Sequence, residues 1–166
     1  MRFRSALAMA AALALAGCRP REITQLQRDE AANDVSDADF AVTIKDWPRA
    51  EGMYAKAANL CPDQGDIWMN LGIVRMRMQN SSGARDAYKS ALSAYRDDEK
   101  RDPKNPVPVL RHAYALAVLG RADEARSEVA DGYARMPDDA RLRGFVEGKG
   151  IDKMLADPSL KEVSPQ

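Results

Sequence analysis

Apolar residues recur along most of this 166-residue chain at helical spacings. Ile23, Leu26, Ala31, Val35, Ala38 and Val42 follow one another at intervals of three to five, so one face of a long helix is apolar. Val109 to Leu119 is almost wholly apolar, which predicts a helix buried on most sides. Residues 140–156 are expected to form a capping helix that turns Leu142, Phe145 and Val146 inward, with a short extra turn from Ile151 to Ala156. The last stretch, 157–166, is expected to be a disordered tail. A different pattern opens the chain. Behind Arg2 and Arg4, Ala6 to Ala16 is an uninterrupted apolar run of 11 residues. At about 1.5 Å per residue it covers roughly half of a ~30 Å hydrocarbon core, too little to span it.

The middle of the chain repeats. Ala50 and Tyr54 return 34 positions later as Ala84 and Tyr88, small residue and aromatic one helical turn apart. Around the first pair, Lys45-Asp46-Trp47-Pro48 leads into a helix that Pro62 ends. Around the second, Trp68-x-x-Leu71-Gly72 precedes the turn Asn80-Ser81-Ser82-Gly83, and Asp66 is a candidate helix cap. A third unit has Gly120 in its turn, then Ala125, with Pro137 closing it. Period and chemistry together resemble the tetratricopeptide (TPR) helix-turn-helix repeat.

That resemblance implies an all-α TPR-type solenoid of about three helix pairs with a C-terminal capping helix. The repeats are expected at 31–64, 65–98 and 106–139, after an N-terminal segment, 18–30, that begins the first helix. Ala50, Tyr54, Pro62, Trp68, Leu71, Gly72, Ala84, Tyr88, Ala125 and Pro137 fall at the repeat-packing positions. The match has departures. Asp34 and Asp37 stand where Trp and Leu would sit, Arg75 replaces a Tyr, and Val129 replaces the aromatic of the third unit. Ala84 to Ala125 is 41 residues, seven more than the period, which places an insertion at 99–105. Seven residues is close to two helical turns, so the excess can lengthen a helix without turning its apolar face far. A protruding, charged helix end is expected there.

The N-terminus adds a location. Positive residues, a short apolar stretch and small residues form the layout of a secretory signal peptide. Leu15-Ala16-Gly17-Cys18 resembles a bacterial lipobox, whose cysteine receives a diacylglyceryl group before cleavage ahead of it. The resemblance implies a signal peptide at 1–17 and a mature chain anchored to a membrane through lipid on Cys18. The alternative is a plain signal peptide, with Cys18 free to pair with Cys61. Residue 19 is Arg rather than the Asp that retains enterobacterial lipoproteins at the inner membrane, so the outer membrane, facing the periplasm, is the expected site.

Composition then removes function classes. Lys plus Arg balance Asp plus Glu at 25 each, so no basic field exists for nucleic acid. His112, the single histidine, lies on an apolar helix without a Ser or Cys partner, and is expected to be a satisfied core or groove residue. One His and one spare Cys cannot make a usual tetrahedral zinc site, and no phosphate-binding Gly-rich loop occurs. The chain is not expected to be an enzyme, to carry a cofactor or to act on a small molecule.

The TPR resemblance implies that the first helices of successive pairs line a concave groove. Its ligand-facing positions are Val35, Asp39 and Val42, then Met69, Ile73, Met76 and Arg77, then Leu110, Tyr114 and Val118. The set is apolar and Met-rich, suited to a peptide or helix of another protein, unless the chain's own termini fill it. The resemblance implies an adaptor for an envelope assembly such as a pilus, a secretin or outer-membrane machinery. The alternatives are an accessory subunit of a peptidoglycan synthase or hydrolase, and a soluble secreted binding protein.

Overall fold

Three consecutive helix hairpins, built on the same turn, make up the body of the protein. A computed structural model describes residues 22–165. Their helices are α1 (Gln25–Thr43), α2 (Trp47–Leu60), α3 (Gly65–Arg77), α4 (Ser81–Arg101), α5 (Pro106–Val118), α6 (Ala122–Arg135), α7 (Ala140–Glu147), α8 (Gly150–Ala156) and α9 (Pro158–Val163). Each of the first seven packs on the next, the zigzag of a solenoid.

The repeat is written into the backbone as well as the side chains. Lys45, Gln79 and Gly120 all take left-handed conformations, with φ of 60, 61 and 75°. They hold equivalent places in the turns α1–α2, α3–α4 and α5–α6. In each, the next amide reaches back five residues: Asp46 to the Ala41 carbonyl at 2.8 Å, Asn80 to Arg75 at 2.8 Å, Arg121 to Leu116 at 2.9 Å. The left-handed residue's own amide also donates three residues back, Lys45 to Val42 at 3.0 Å, Gln79 to Met76 at 2.9 Å and Gly120 to Ala117 at 3.0 Å, and together these bonds satisfy carbonyls that a helix C-terminus leaves unpaired. Asp46 and Asn80 then cap the following helices through their side chains. The architecture is an all-α TPR-type solenoid.

Small residues set the approach of helix to helix. Ala50, Ala84 and Ala125 are all inaccessible to solvent. Gly72 is needed for a more specific reason, because a Cβ there would lie 2.2 Å from Cε1 of Tyr88. The glycine makes room for one aromatic ring, not merely for a neighbouring backbone. Gly65 does the same for Tyr95, whose Cε1 would lie 2.4 Å away. The core divides into two apolar clusters. One gathers α1 and α2 with Ile67, Leu71 and Val74; the other runs from Met69 and Tyr88 to Val163.

Departures from the repeat pattern have structural replacements. Asp34, in place of a Trp, is buried and paired with Lys56 of α2 at 3.1 Å. Arg75, in place of a Tyr, bonds Glu51 at 2.9 Å and the Gly83 carbonyl at 3.2 Å, clamping α2 to the second hairpin. Cys61 is buried at the end of α2 with its thiol toward the Gln27 carbonyl, and burial pushes the thiol pKa up. Cys18 and the signal-peptide segment lie outside the described residues.

Four expectations need correction. The tail is not disordered: α9 forms from Pro158 to Val163, because Leu160 and Val163, one helical turn apart, bury against the repeats. The cap is not one helix. Lys149 takes a left-handed conformation (φ 51°) after Gly148, so α7 stops and α8 starts anew, which leaves Val146 exposed while Leu142 is fully buried. Asp66 does not cap α3. Gln64 holds the cap position, and Asp66 instead accepts from the Tyr95 hydroxyl at 2.7 Å and pairs with Arg111 at 2.7 Å. The insertion is not wholly solvated. α4 runs two turns longer than its counterpart α2, but its Glu99 turns inward.

Candidate protein-binding groove

The first helices of the second and third hairpins, α3 and α5, wall an open cleft of about 560 Å³. Apolar periodicity builds it. On α3, Met69 and Ile73 are one turn apart; on α5, Leu110 and Tyr114 repeat that spacing and face them across the cleft. Tyr95 of α4 and Val107 extend the wall, Asp66 and Arg111 pair at its rim, and Met154 of α8 closes one side. An apolar floor with a charged pair at the edge suits a protein segment that buries side chains and orients by its polar groups.

Of the groove residues read from sequence, Met69, Ile73, Leu110 and Tyr114 are brought together. The rest serve elsewhere. Asp39 accepts a hydrogen bond from Tyr54, whose hydroxyl pKa is raised by burial and then by that bond. Arg77 pairs with Glu162 of α9 at 2.9 Å. Met76 packs at the edge of the second core cluster, and the Ser81 hydroxyl lies 3.8 Å from its sulfur. Val35 packs with the first cluster on α1, away from the cleft. The groove is therefore open between Met69 and Tyr114 and filled by α9 near Arg77.

Periodicity did not disclose a second constellation, on the other face of α5. His112 is buried between Glu99 of α4 and Glu128 of α6, with its Nδ1 at 2.9 and 3.3 Å from their carboxylates. Arg135 stands 3.5 Å from Glu99 and 3.8 Å from Glu128. Burial would lower the imidazole pKa, but hydrogen bonds and charge from Glu128 and Glu99 outweigh it and raise it to about 9. The same contact to His112 holds Glu128 below the usual carboxylate range. These ligand-type atoms all lie within 4.8 Å of one another, a donor set that divalent cations use elsewhere. Here an imidazolium and a guanidinium already balance two carboxylates, and the network bolts α4, α5 and α6 together. The signal available in the sequence was the insertion, which carries Glu99 onto His112.

No helix among the described residues is long and apolar enough to cross a membrane. No protein-family model matches the chain, and no curated protein matches it significantly. Among solved structures it is similar to the TPR domain of Arabidopsis OM64, with 19% identity, 77% of this chain and 98% of that one covered, and a TM-score of 0.46. It is also similar to the TPR2B domain of yeast Sti1 in its pHsp70 complex, with 16% identity, 81% and 96% covered, and a TM-score of 0.48. The Yersinia enterocolitica type III secretion chaperone SycD, in complex with a peptide of the translocator YopD, gives 17% identity, 83% and 97% covered, and 0.47.

Proposed function

We propose that this protein is an adaptor that binds a segment of another protein in the cleft between α3 and α5. A lipid on Cys18 would hold it at a bacterial envelope membrane, facing the periplasm, with the outer membrane favoured. One observation carries the binding reading: four apolar side chains from two successive repeats converge on an open cleft with a charged rim. Met69 is buried at the floor, and Ile73, Leu110 and Tyr114 remain partly exposed to a partner. Assembly of an envelope complex is the role this reading favours, and it rests on the lipobox-like Leu15-Ala16-Gly17-Cys18.

Two measurements test it. With a photo-crosslinker at Asn70, on the cleft wall, one protein should be captured from membranes. The Ile73→Glu, Leu110→Glu double variant should lose at least tenfold of that capture while its helical circular dichroism and thermal midpoint stay near the parent's. Equal capture by the folded variant sinks the groove. For the anchor, Cys18→Ala should move the protein from the membrane fraction to the soluble periplasmic one, and the mature N-terminus should carry acyl mass on residue 18. A variant that stays with membranes counts against lipid as the anchor.

A further inference from the structure

The chain's own C-terminal segment covers one end of the groove. α9 packs across α3 and α5, the two helices that wall the cleft. Leu160 and Val163 sink into the apolar cluster that also contains Met69 and Leu116. Three polar contacts add to this. Tyr88 donates its hydroxyl to the Val163 carbonyl at 2.7 Å, Arg77 pairs with Glu162 at 2.9 Å, and Arg85 reaches the Pro165 carbonyl at 3.4 Å.

The repeat register explains why Tyr88 turns to this segment. Its counterpart in the first hairpin, Tyr54, donates to Asp39. The residue 34 positions beyond Asp39 is Ile73, which offers no acceptor. Tyr88 is fully buried, so without an acceptor its hydroxyl would carry the whole desolvation cost. A main-chain carbonyl meets that need, and any peptide can supply one. Beyond this bond and the burial of Leu160 and Val163, the rest of the hold is slight. α9 is six residues long, too short to be helical by itself, and Pro158, Ser159, Lys161 and Glu162 are exposed. The Arg77–Glu162 pair is about half exposed on both sides, where ion pairs contribute little.

We propose that α9 is a displaceable ligand bound in cis, and that the partner presents the same chemistry in trans. The inference rests on the groove reading above. The partner segment would carry two apolar side chains three residues apart, a carboxylate directly before the second, and a carbonyl for Tyr88. It would replace Leu160, Glu162 and Val163 and continue into the open cleft. The affinity of the intact protein is then scaled down to the fraction of time that α9 is unseated.

The test uses the full chain and a fluorescein-labelled peptide of its own residues 157–166. The Leu160→Asp, Val163→Asp variant, with its own tail released, should bind the peptide at least tenfold more tightly than the unaltered chain. Failure of the folded variant to bind overturns the proposal. Should that variant misfold, hydrogen exchange on the unaltered chain decides. Amides of α9 should exchange at least a hundredfold faster than those of α5, and equal rates would make α9 a fixed part of the core and overturn displacement. A dimer in sedimentation, with tails exchanged between copies, overturns binding in cis. Released peptide binding with undiminished partner capture by the Ile73→Glu, Leu110→Glu chain supports the displaceable tail and overturns the groove reading alone.

Discussion

Replacing Tyr88 by alanine is expected to cost about 3–5 kcal/mol, the range for deleting a buried aromatic side chain. Small domains have only 5–15 kcal/mol in all, so the variant should be partly unfolded at 37 °C. The site leaves little room for relaxation. Tyr88 is fully buried, and Gly72 is the residue whose missing Cβ admits its ring. Two milder variants separate ring from hydroxyl. Tyr88→Phe keeps the packing and leaves the Val163 carbonyl without its donor, for about 1 kcal/mol. Gly72→Ala keeps the tyrosine but puts a methyl 2.2 Å from its ring. Overpacking of roughly 1–3 kcal/mol then outweighs the ~1 kcal/mol of helix propensity that alanine restores. Urea midpoints followed by circular dichroism should rank the chains parent, then Tyr88→Phe and Gly72→Ala, then Tyr88→Ala. A Gly72→Ala chain more stable than the parent would refute the ring-accommodation role.

How much of this was legible in the chain differs by kind of interaction. The 34-residue recurrence of Ala50 and Tyr54 announced helix hairpins because the contact between a small residue and an aromatic is set by spacing within one helix. The left-handed turn was half visible: Gly120 shows it, whereas Lys45 and Gln79 adopt the same φ without glycine and leave no mark. The lining of the cleft was legible only where one side chain from each turn reaches it, at Met69, Ile73, Leu110 and Tyr114. Arg77 and Asp39 carry the same register, but each found a partner on another element, Glu162 and Tyr54. Contacts of that kind depend on where distant segments return. The α9 helix was missed for the same reason, since Leu160 and Val163 read as two apolar residues in a polar tail until the surface they cover is in place.

Raising the pH through about 9 should weaken the fold. His112 has a folded pKa of about 9 against an ordinary value of 6.5, so the folded state holds its proton more tightly than the unfolded chain does. The stabilisation is complete below about pH 6.5 and is lost as pH climbs through about 9. The shift sets an upper bound of roughly 3–4 kcal/mol on the loss, at about 1.4 kcal/mol per pH unit. Burial of the ring opposes the dependence in part, and the two carboxylates create it. Deprotonation leaves Glu99 and Glu128 facing a neutral ring, with Arg135 beside them. Glu128, held below its usual range by His112, acts in the opposite direction and makes stability fall again at acid pH. Urea unfolding at pH 6.5, 8 and 9.5 should therefore show a falling midpoint at constant slope. In a His112→Gln chain, less stable at pH 6.5, the midpoint should be nearly flat over that interval. Parallel declines in the two chains would assign the alkaline loss to groups other than this histidine. Because Glu99 belongs to the insertion, Glu99→Gln should flatten the curve part-way, and that would make the seven added residues a clamp on α5.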